Sequence, residues 1–268
     1  MKKLLLTTML VTALAGCSSA KTTSASSAEG DHLARIQSAG KITIATEGVW
    51  SPFTYHDETT DELVGFDVEV AKAVADKLGV EVEFKEVNFD GGLTGVAQGT
   101  FDMMANGVDI TEERSNSYDF TEPYAYDHAV IVTKADNSDI KSFADLKGKT
   151  TANSTGSTYA EMGENNGATV TNVDTLGETM DLVLNGTVEA TINANTSIQD
   201  YFNTTGNSDK LKVAATDEET TKYAFPLKKG SDNDSLREAI NKAIDELRSE
   251  GKLSEISTKY FGADITTE

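Results

Sequence analysis

The side chains able to do chemistry in this 268-residue chain are charged or small rather than nucleophilic. Arg114 follows Thr111-Glu112-Glu113. Its planar guanidinium fork suits a bidentate carboxylate, and Thr111 has the character of a helix N-cap. The same Arg114 could instead pair with Glu112, Glu113 or Asp119 at the surface. Ser154-Thr155-Gly156-Ser157-Thr158 sets small residues between a strand pattern and a helix pattern. Such a turn exposes backbone N–H groups at a helix N-terminus, where it can hold an anion or simply cap the helix. Glu47 ends the first strand pattern and is a candidate partner for an ammonium or another polar group. Trp50 is the sole Trp, and Phe89 precedes Asp90-Gly91-Gly92; both fit either a core or the wall of a site. His32, His56 and His128 form no HExxH, and the chain has no G-x-S-x-G, CxxC or P-loop. No catalytic motif stands out, and no cofactor or metal is expected.

Composition narrows the classes further. Lys and Arg number 23 against 44 Asp and Glu, a net charge of −21. That balance argues against nucleic acid and against electrostatic docking on anionic lipid. A hydrophobic content of 38% with 25% charged residues is that of a globular chain. The length allows one large domain or two ordinary ones.

The single Cys excludes a disulfide framework, and its position, 17, is informative. Lys2 and Lys3 precede a 12-residue apolar run, 4–15, too short to span a bilayer. Leu14-Ala15-Gly16-Cys17-Ser18-Ser19 resembles the lipobox of bacterial lipoproteins. That resemblance implies a leader at 1–16 and diacylation of the Cys17 thiol. Residues 18–30 are Ser, Ala, Thr, Lys, Glu and Gly, with nothing to bury, so a flexible tether is expected over 17–39. Loss of the leader removes Lys2 and Lys3, and an acidic body would then be held at a membrane by lipid rather than by charge.

The elements that must position the candidates alternate strand and helix. Strands are expected at 41–45, 80–84, 101–105, 129–133, 149–153, 169–173, 188–192 and 211–215. Helices are expected at 67–78, 93–98, 157–164, 178–184, 197–203, 234–249 and 253–260. The alternation predicts α/β architecture with mostly parallel sheets. Two internal echoes suggest paired lobes. Gly40-Lys41-Ile42-Thr43 with Gly48 matches Gly148-Lys149-Thr150-Thr151 with Gly156. Gln98-Gly99-Thr100-Phe101-Asp102 matches Asn185-Gly186-Thr187-Val188-Glu189, and each strand runs on to an Asn, Asn106 or Asn193. Equivalent strand ends would then face one crevice.

Longer blocks carry a family resemblance. They are Thr46-Glu47-Gly48-Val49-Trp50-Ser51-Pro52-Phe53, Gly65-Phe66-Asp67-Val68-Glu69, Asp109-Ile110-Thr111-Glu112-Glu113-Arg114, Phe120-Thr121-Glu122-Pro123-Tyr124 and Lys259-Tyr260-Phe261-Gly262. In this order, over about 40–265, they resemble the polar-amino-acid solute-binding proteins of ABC importers. The resemblance implies a two-lobed type II periplasmic-binding-protein fold with two hinge strands, near 129–134 and 222–227. Lobe 1 would comprise 40–128 and 226–268, and lobe 2 would comprise 129–225. It further implies a monomer that captures an amino acid and delivers it to permease subunits. Arg114 would clamp the ligand carboxylate, with Ser154, Ser157 and Thr158 donating from lobe 2. Trp50 and Phe89 would flank the side chain, Gly107 would offer its carbonyl, and Asp109 its backbone N–H. Relatives carry an Asp where this chain has Ala194, so Asn193 or Asn195 would stand in, leaving Glu47 as the main charge partner. The opening and closing blocks look most like cystine-binding members, with glutamine or another amino acid as the alternative. A cyclohexadienyl-dehydratase-like enzyme with Glu47 as general acid and a surface sensor that transports nothing are the competing classes.

Overall fold

The computed structural model describes residues 31–268. The expected leader, Cys17 and residues 18–30 of the tether lie outside the described residues. Helix α1 (His32–Ala39) opens the described chain. Asp31 caps it by accepting the Leu33 N–H at 3.0 Å, Gly40 ends it in the left-handed region, and Ile36 is buried. The expected tether therefore stops short of α1: one buried Ile, and polar groups that find partners on the body, dock residues 32–39.

Strand β1 (Lys41–Thr46) buries Ile42, Ile44, Ala45 and Thr46 as an interior strand of its sheet. Three short strands follow, β2 (Val49–Trp50), β3 (Thr54–His56) and β4 (Leu63–Val64). They pair as a small antiparallel sheet. Helix α2 (Phe66–Leu78) buries Phe66, Val70, Ala71 and Val74, carries Asp67 and Glu69 in its first turn, and stops at Gly79. Then come β5 (Glu81–Glu86), α3 (Phe89–Gln98), β6 (Met103–Met104), α4 (Glu112–Ser117) and β7 (Tyr118–Phe120). The long β8 (Ala125–Lys134) leads into β9 (Thr150–Asn153), α5 (Thr158–Asn165), β10 (Thr169–Asn172), α6 (Leu176–Asn185), β11 (Ala190–Ala194) and α7 (Asn195–Thr205). The second long strand, β12 (Leu211–Tyr223), returns to β13 (Pro226–Lys228), α8 (Asp234–Ser249) and α9 (Lys252–Phe261).

These elements build two five-stranded sheets, ordered β5-β1-β6-β13-β7 in lobe 1 and β10-β9-β11-β8-β12 in lobe 2. Each is mixed, correcting the expectation of mostly parallel pairing. The βαβ units are parallel, but β13, β8 and β12 pair antiparallel because the chain crosses between lobes and comes back. The C-terminal helices join lobe 1, where Ile240, Ile244, Leu253 and Ile256 share a core with Val70 and Val74. Among the described residues no helix is long and apolar enough to cross a membrane.

The crossing is a ribbon of two antiparallel strands, with Tyr223 opposite Ala125 and Thr220 opposite His128. The register breaks between Thr216 and Thr220. The first crossing therefore precedes the expected 129–134, whose Val130, Ile131 and Val132 are fully buried within lobe 2.

One buried acid ties lobe 1 to the edge of the crevice. Asp67 accepts the Tyr124 hydroxyl at 3.0 Å and the backbone N–H of Gly107. Burial pushes its carboxyl up to about 7. Asp67→Ala is expected to orphan both donors and cost about 1–3 kcal/mol of unfolding free energy. Asp67→Asn keeps an oxygen for Gly107 and an N–H for the Tyr124 oxygen, and should recover most of it. Urea denaturation of the two variants checks this.

Candidate functional site

The carboxyl ends of β1 and β6 face those of β9 and β11 across a crevice, the place where open α/β sheets bind ligands. Its space is about 560 Å³ counted out to the open mouth. Glu47, Trp50, Phe89, Gly107 and Asp109 line it from lobe 1, and Ser154, Ser157, Thr158 and Asn193 line it from lobe 2. Both Asn residues of the internal echo, Asn106 and Asn193, line it as well.

Glu47 is held by a reciprocal pair of bonds. Asn106, 1% exposed, donates Nδ2–H to Glu47 Oε2 at 2.6 Å, and its Oδ1 accepts the Glu47 N–H at 2.8 Å. Burial pushes the Glu47 carboxyl up to about 7; the Asn106 bond opposes that rise, and the Asp174 carboxylate across the crevice adds slightly to it. No Lys, Arg or His among the described residues forms an ion pair with Glu47 or lines the crevice. The site is thus a partly buried carboxylate aligned by an amide, with no cation among the described residues to balance it.

Arg114 does not line the crevice. Thr111 caps α4 by accepting the Arg114 N–H at 3.1 Å, which turns the side chain inward. Nη1–H donates to the Asp109 carboxylate, and Nη2–H donates across the lobes to the Gly156 carbonyl at 2.9 Å. The guanidinium carbon sits 5.2 Å from the Phe89 ring centroid. Arg114 thus bridges the lobes, and in this closed form its fork is taken by Asp109 and Gly156. The Asp109 carboxylate, rather than its backbone N–H, is what engages, because it lies on the loop leading into α4, within reach of the fork.

On lobe 2, Ser157 caps α5 by accepting the Ala160 N–H at 3.2 Å and donates its own hydroxyl to the Ser154 carbonyl at 2.7 Å. Asn193 Oδ1 accepts the Trp50 indole N–H at 3.3 Å. Asn195 starts α7, accepts from Gln199 at 3.4 Å and stays outside the crevice. Trp50 stacks on Phe53 with centroids 4.2 Å apart. Gly107 has φ 52°, and a Cβ there would lie 2.5 Å from the Trp50 ring. Sequence reasoning did not single out Asn153, Tyr159, Asp174 or Thr179, all of which line the crevice. Asn153 and Asp174 were findable, since each sits where a strand of lobe 2 ends.

The matching family model spans residues 42–263 and describes bacterial extracellular solute-binding proteins, family 3. The chain belongs to this family. It is 40% identical over 271 residues to the L-cystine-binding protein TcyA of Bacillus subtilis, covering 99% of this chain and all of that one. A solved ancestral arginine-binding protein bound to arginine superposes with a TM-score of 0.76 at 36% identity, over 83% of this chain and 99% of that one. The L-cystine solute receptor of Neisseria gonorrhoeae, unliganded and open, is 38% identical over 89% of this chain and all of that one, with a TM-score of only 0.58. The fold is the two-lobed type II fold of periplasmic binding proteins. The direct bonds from Trp50 to Asn193 and from Arg114 to Gly156 show the lobes closed on each other, which accounts for the poorer fit to an open relative of higher identity.

A ligand ammonium seated on Glu47 needs the ionised carboxylate, and protons compete for it below about pH 7. Affinity is therefore expected to fall as pH drops from 7 toward 5. Glu47→Gln should bind more weakly at pH 8 and lose this slope. Calorimetry from pH 5 to 8 reads both effects.

Proposed function

We propose that this protein is an extracytoplasmic receptor of an ABC importer, lipid-anchored through Cys17, that captures a polar amino acid between its lobes. The observation that carries the reading is the partly buried Glu47 carboxylate, uncompensated by any cation among the described residues and opposed by the small-residue turn that starts α5. An amino acid supplies what each side lacks: an ammonium for Glu47, and a carboxylate for the backbone N–H of Thr158 at the start of α5. Trp50 and Phe89 form apolar walls for the side chain. Cystine is the first ligand to test, because a full-length relative and a solved relative are both named for it; glutamine and arginine follow. The ribbon of β8 and β12 serves as the hinge, and closure around the ligand yields the form presented to permease subunits. The receptor acts as a monomer.

A thermal-shift screen against the twenty common amino acids and cystine tests the reading. A shift of several degrees with a small subset is expected, and no shift with any would sink it. Labelled palmitate should enter the wild type expressed in bacteria and not Cys17→Ser. A competing enzymatic reading draws on the raised Glu47 carboxyl, which has the character of a general acid. Turnover of a prephenate-like substrate would favour it.

Arg114→Ala leaves the buried Asp109 carboxylate without its partner. It is expected to lose about 3–5 kcal/mol of unfolding stability. Adding Asp109→Asn should recover part of that loss in chemical denaturation.

A further inference from the structure

The first turn of α5 meets the crevice on one side and the hinge on the other. Thr158 and Tyr159 line the crevice. Thr158 also borders a cleft on the hinge side, with Thr220, Thr221 and Lys222 of β12. Helix α5 belongs to lobe 2, where it packs on β9, β10 and β11. The Tyr159 ring nevertheless packs against the cores of both lobes, one holding Ile131 and Ile192, the other Phe53 and Tyr223. Its hydroxyl lies 2.9 Å from the hydroxyl of Tyr223.

Tyr223 is fixed to lobe 1. It ends β12 opposite Ala125, is 1% exposed, and its carbonyl accepts the Tyr124 N–H at 2.9 Å. Its ring meets Phe53 edge-on, with centroids 5.5 Å apart. Tyr223 itself does not line the crevice. In the same turn as Tyr159, the Gly156 carbonyl receives Arg114 of lobe 1. Two bonds from lobe 1 thus reach the segment 156–159 of lobe 2. Rotation about the β8–β12 ribbon carries that segment away from both partners. A hydroxyl pair is made over a range of about 2.5–3.0 Å, so a small rotation ends it.

We propose that the Tyr159–Tyr223 hydroxyl pair is a lock beside the hinge, which sets how strongly the closed form is favoured and couples it to occupancy of the crevice. This deepens the amino-acid reading above and rests on it. A ligand carboxylate drawn to the Thr158 N–H seats the first turn of α5 and brings Tyr159 onto Tyr223. Tyr223 is then a positioning residue, acting on binding through Tyr159 without meeting the ligand. Opening gives both hydroxyls to water, so the lock is weak enough to reverse.

Two dyes on the lobes test the proposal by energy transfer. They sit at Lys242→Cys in lobe 1 and Lys141→Cys in lobe 2, both exposed positions, in the full chain carrying Cys17→Ser. The probe is an equimolar mixture of the common amino acids, with cystine in place of cysteine. Tyr223→Phe strands the Tyr159 hydroxyl in the closed form. It is expected to raise the concentration for half-closure by about three- to tenfold, through faster reopening rather than slower capture. Adding Tyr159→Phe removes the stranded hydroxyl and should recover part of that loss. Tyr159→Phe alone should weaken closure in the same direction, and serves should Tyr223→Phe fail to fold. Urea unfolding of the same variants separates a lock from packing. Coupling between the two hydroxyls that appears in unfolding and not in closure would overturn the proposal, as would single effects on closure that simply add. Closure left unmoved by the variants overturns the lock alone. A wild type that the mixture fails to close overturns the amino-acid reading with it.

Discussion

A carboxylate without a cation governs the closed form of this molecule. Glu47 is largely taken out of water, and the partners of its carboxylate are neutral: the Asn106 amide and the Phe89 backbone N–H. Protonation relieves the cost near neutral pH, and a ligand ammonium would relieve it more fully. The inter-lobe bonds that oppose this cost are few, and include Trp50 to Asn193, Ser51 to Asp200 at 2.9 Å, and Arg114 to Gly156. A neutral bond of this kind contributes about 1 kcal/mol net. Such a balance leaves closure near neutrality, so a ligand with modest differential contact can decide it.

The Asp109–Arg114 pair shapes what that ligand can be. In a site where Arg114 stood open, the guanidinium would be the obvious seat for a carboxylate. Here Asp109 occupies the fork, and the remaining guanidinium edge binds a carbonyl of the opposite lobe. Arginine's fixed planar geometry lets one side chain do both. The pair therefore holds one lobe against the other in the closed form.

Much of this architecture was legible in the sequence because it follows from period and punctuation. The apolar face of α2 with Gly79 behind it, the strand at 41–45 and the closing helices all read directly from residue spacing. The repeated Gly-Thr step and its trailing Asn placed Asn106 and Asn193 at equivalent strand ends, and both line the crevice. What escaped depends on contacts between segments far apart in sequence. The strands β2, β3 and β4 are two or three residues long and carry no alternation. Antiparallel pairing of β8 with β12 joins segments some ninety residues apart, and no local pattern announces it. The seat of Arg114 turned on whether the nearest carboxylate came from a ligand or from Asp109, which spacing cannot decide. Asn153 shows its orphaned oxygen only once Thr191 and Ile192 stand beside it.

The docking of α1 determines how the body meets its tether. His32 sits between two acceptors: Nε2 lies 2.6 Å from Asp102 Oδ1, and Nδ1 meets the side-chain oxygen of Asn233. The Asn233 orientation is set by its Nδ2–H, which donates to the Lys228 carbonyl at 2.6 Å. Both ring nitrogens must therefore carry hydrogen for the cluster to be satisfied, which calls for the imidazolium. The Asp102 bond raises the His32 pKa, against the opposing effects of burial and Arg35. Stability from this clasp is full below the ordinary His range and is lost as pH rises through the raised value. Asp102 also accepts the Thr43 N–H at 2.7 Å, so the clasp is continuous with β1, an interior strand of the lobe 1 sheet. Asp31 and α1, the first described residues, thus sit on lobe 1. On the proposed reading, lobe 1 is the tethered half, and lobe 2 swings on the β8–β12 ribbon without pulling on the anchor.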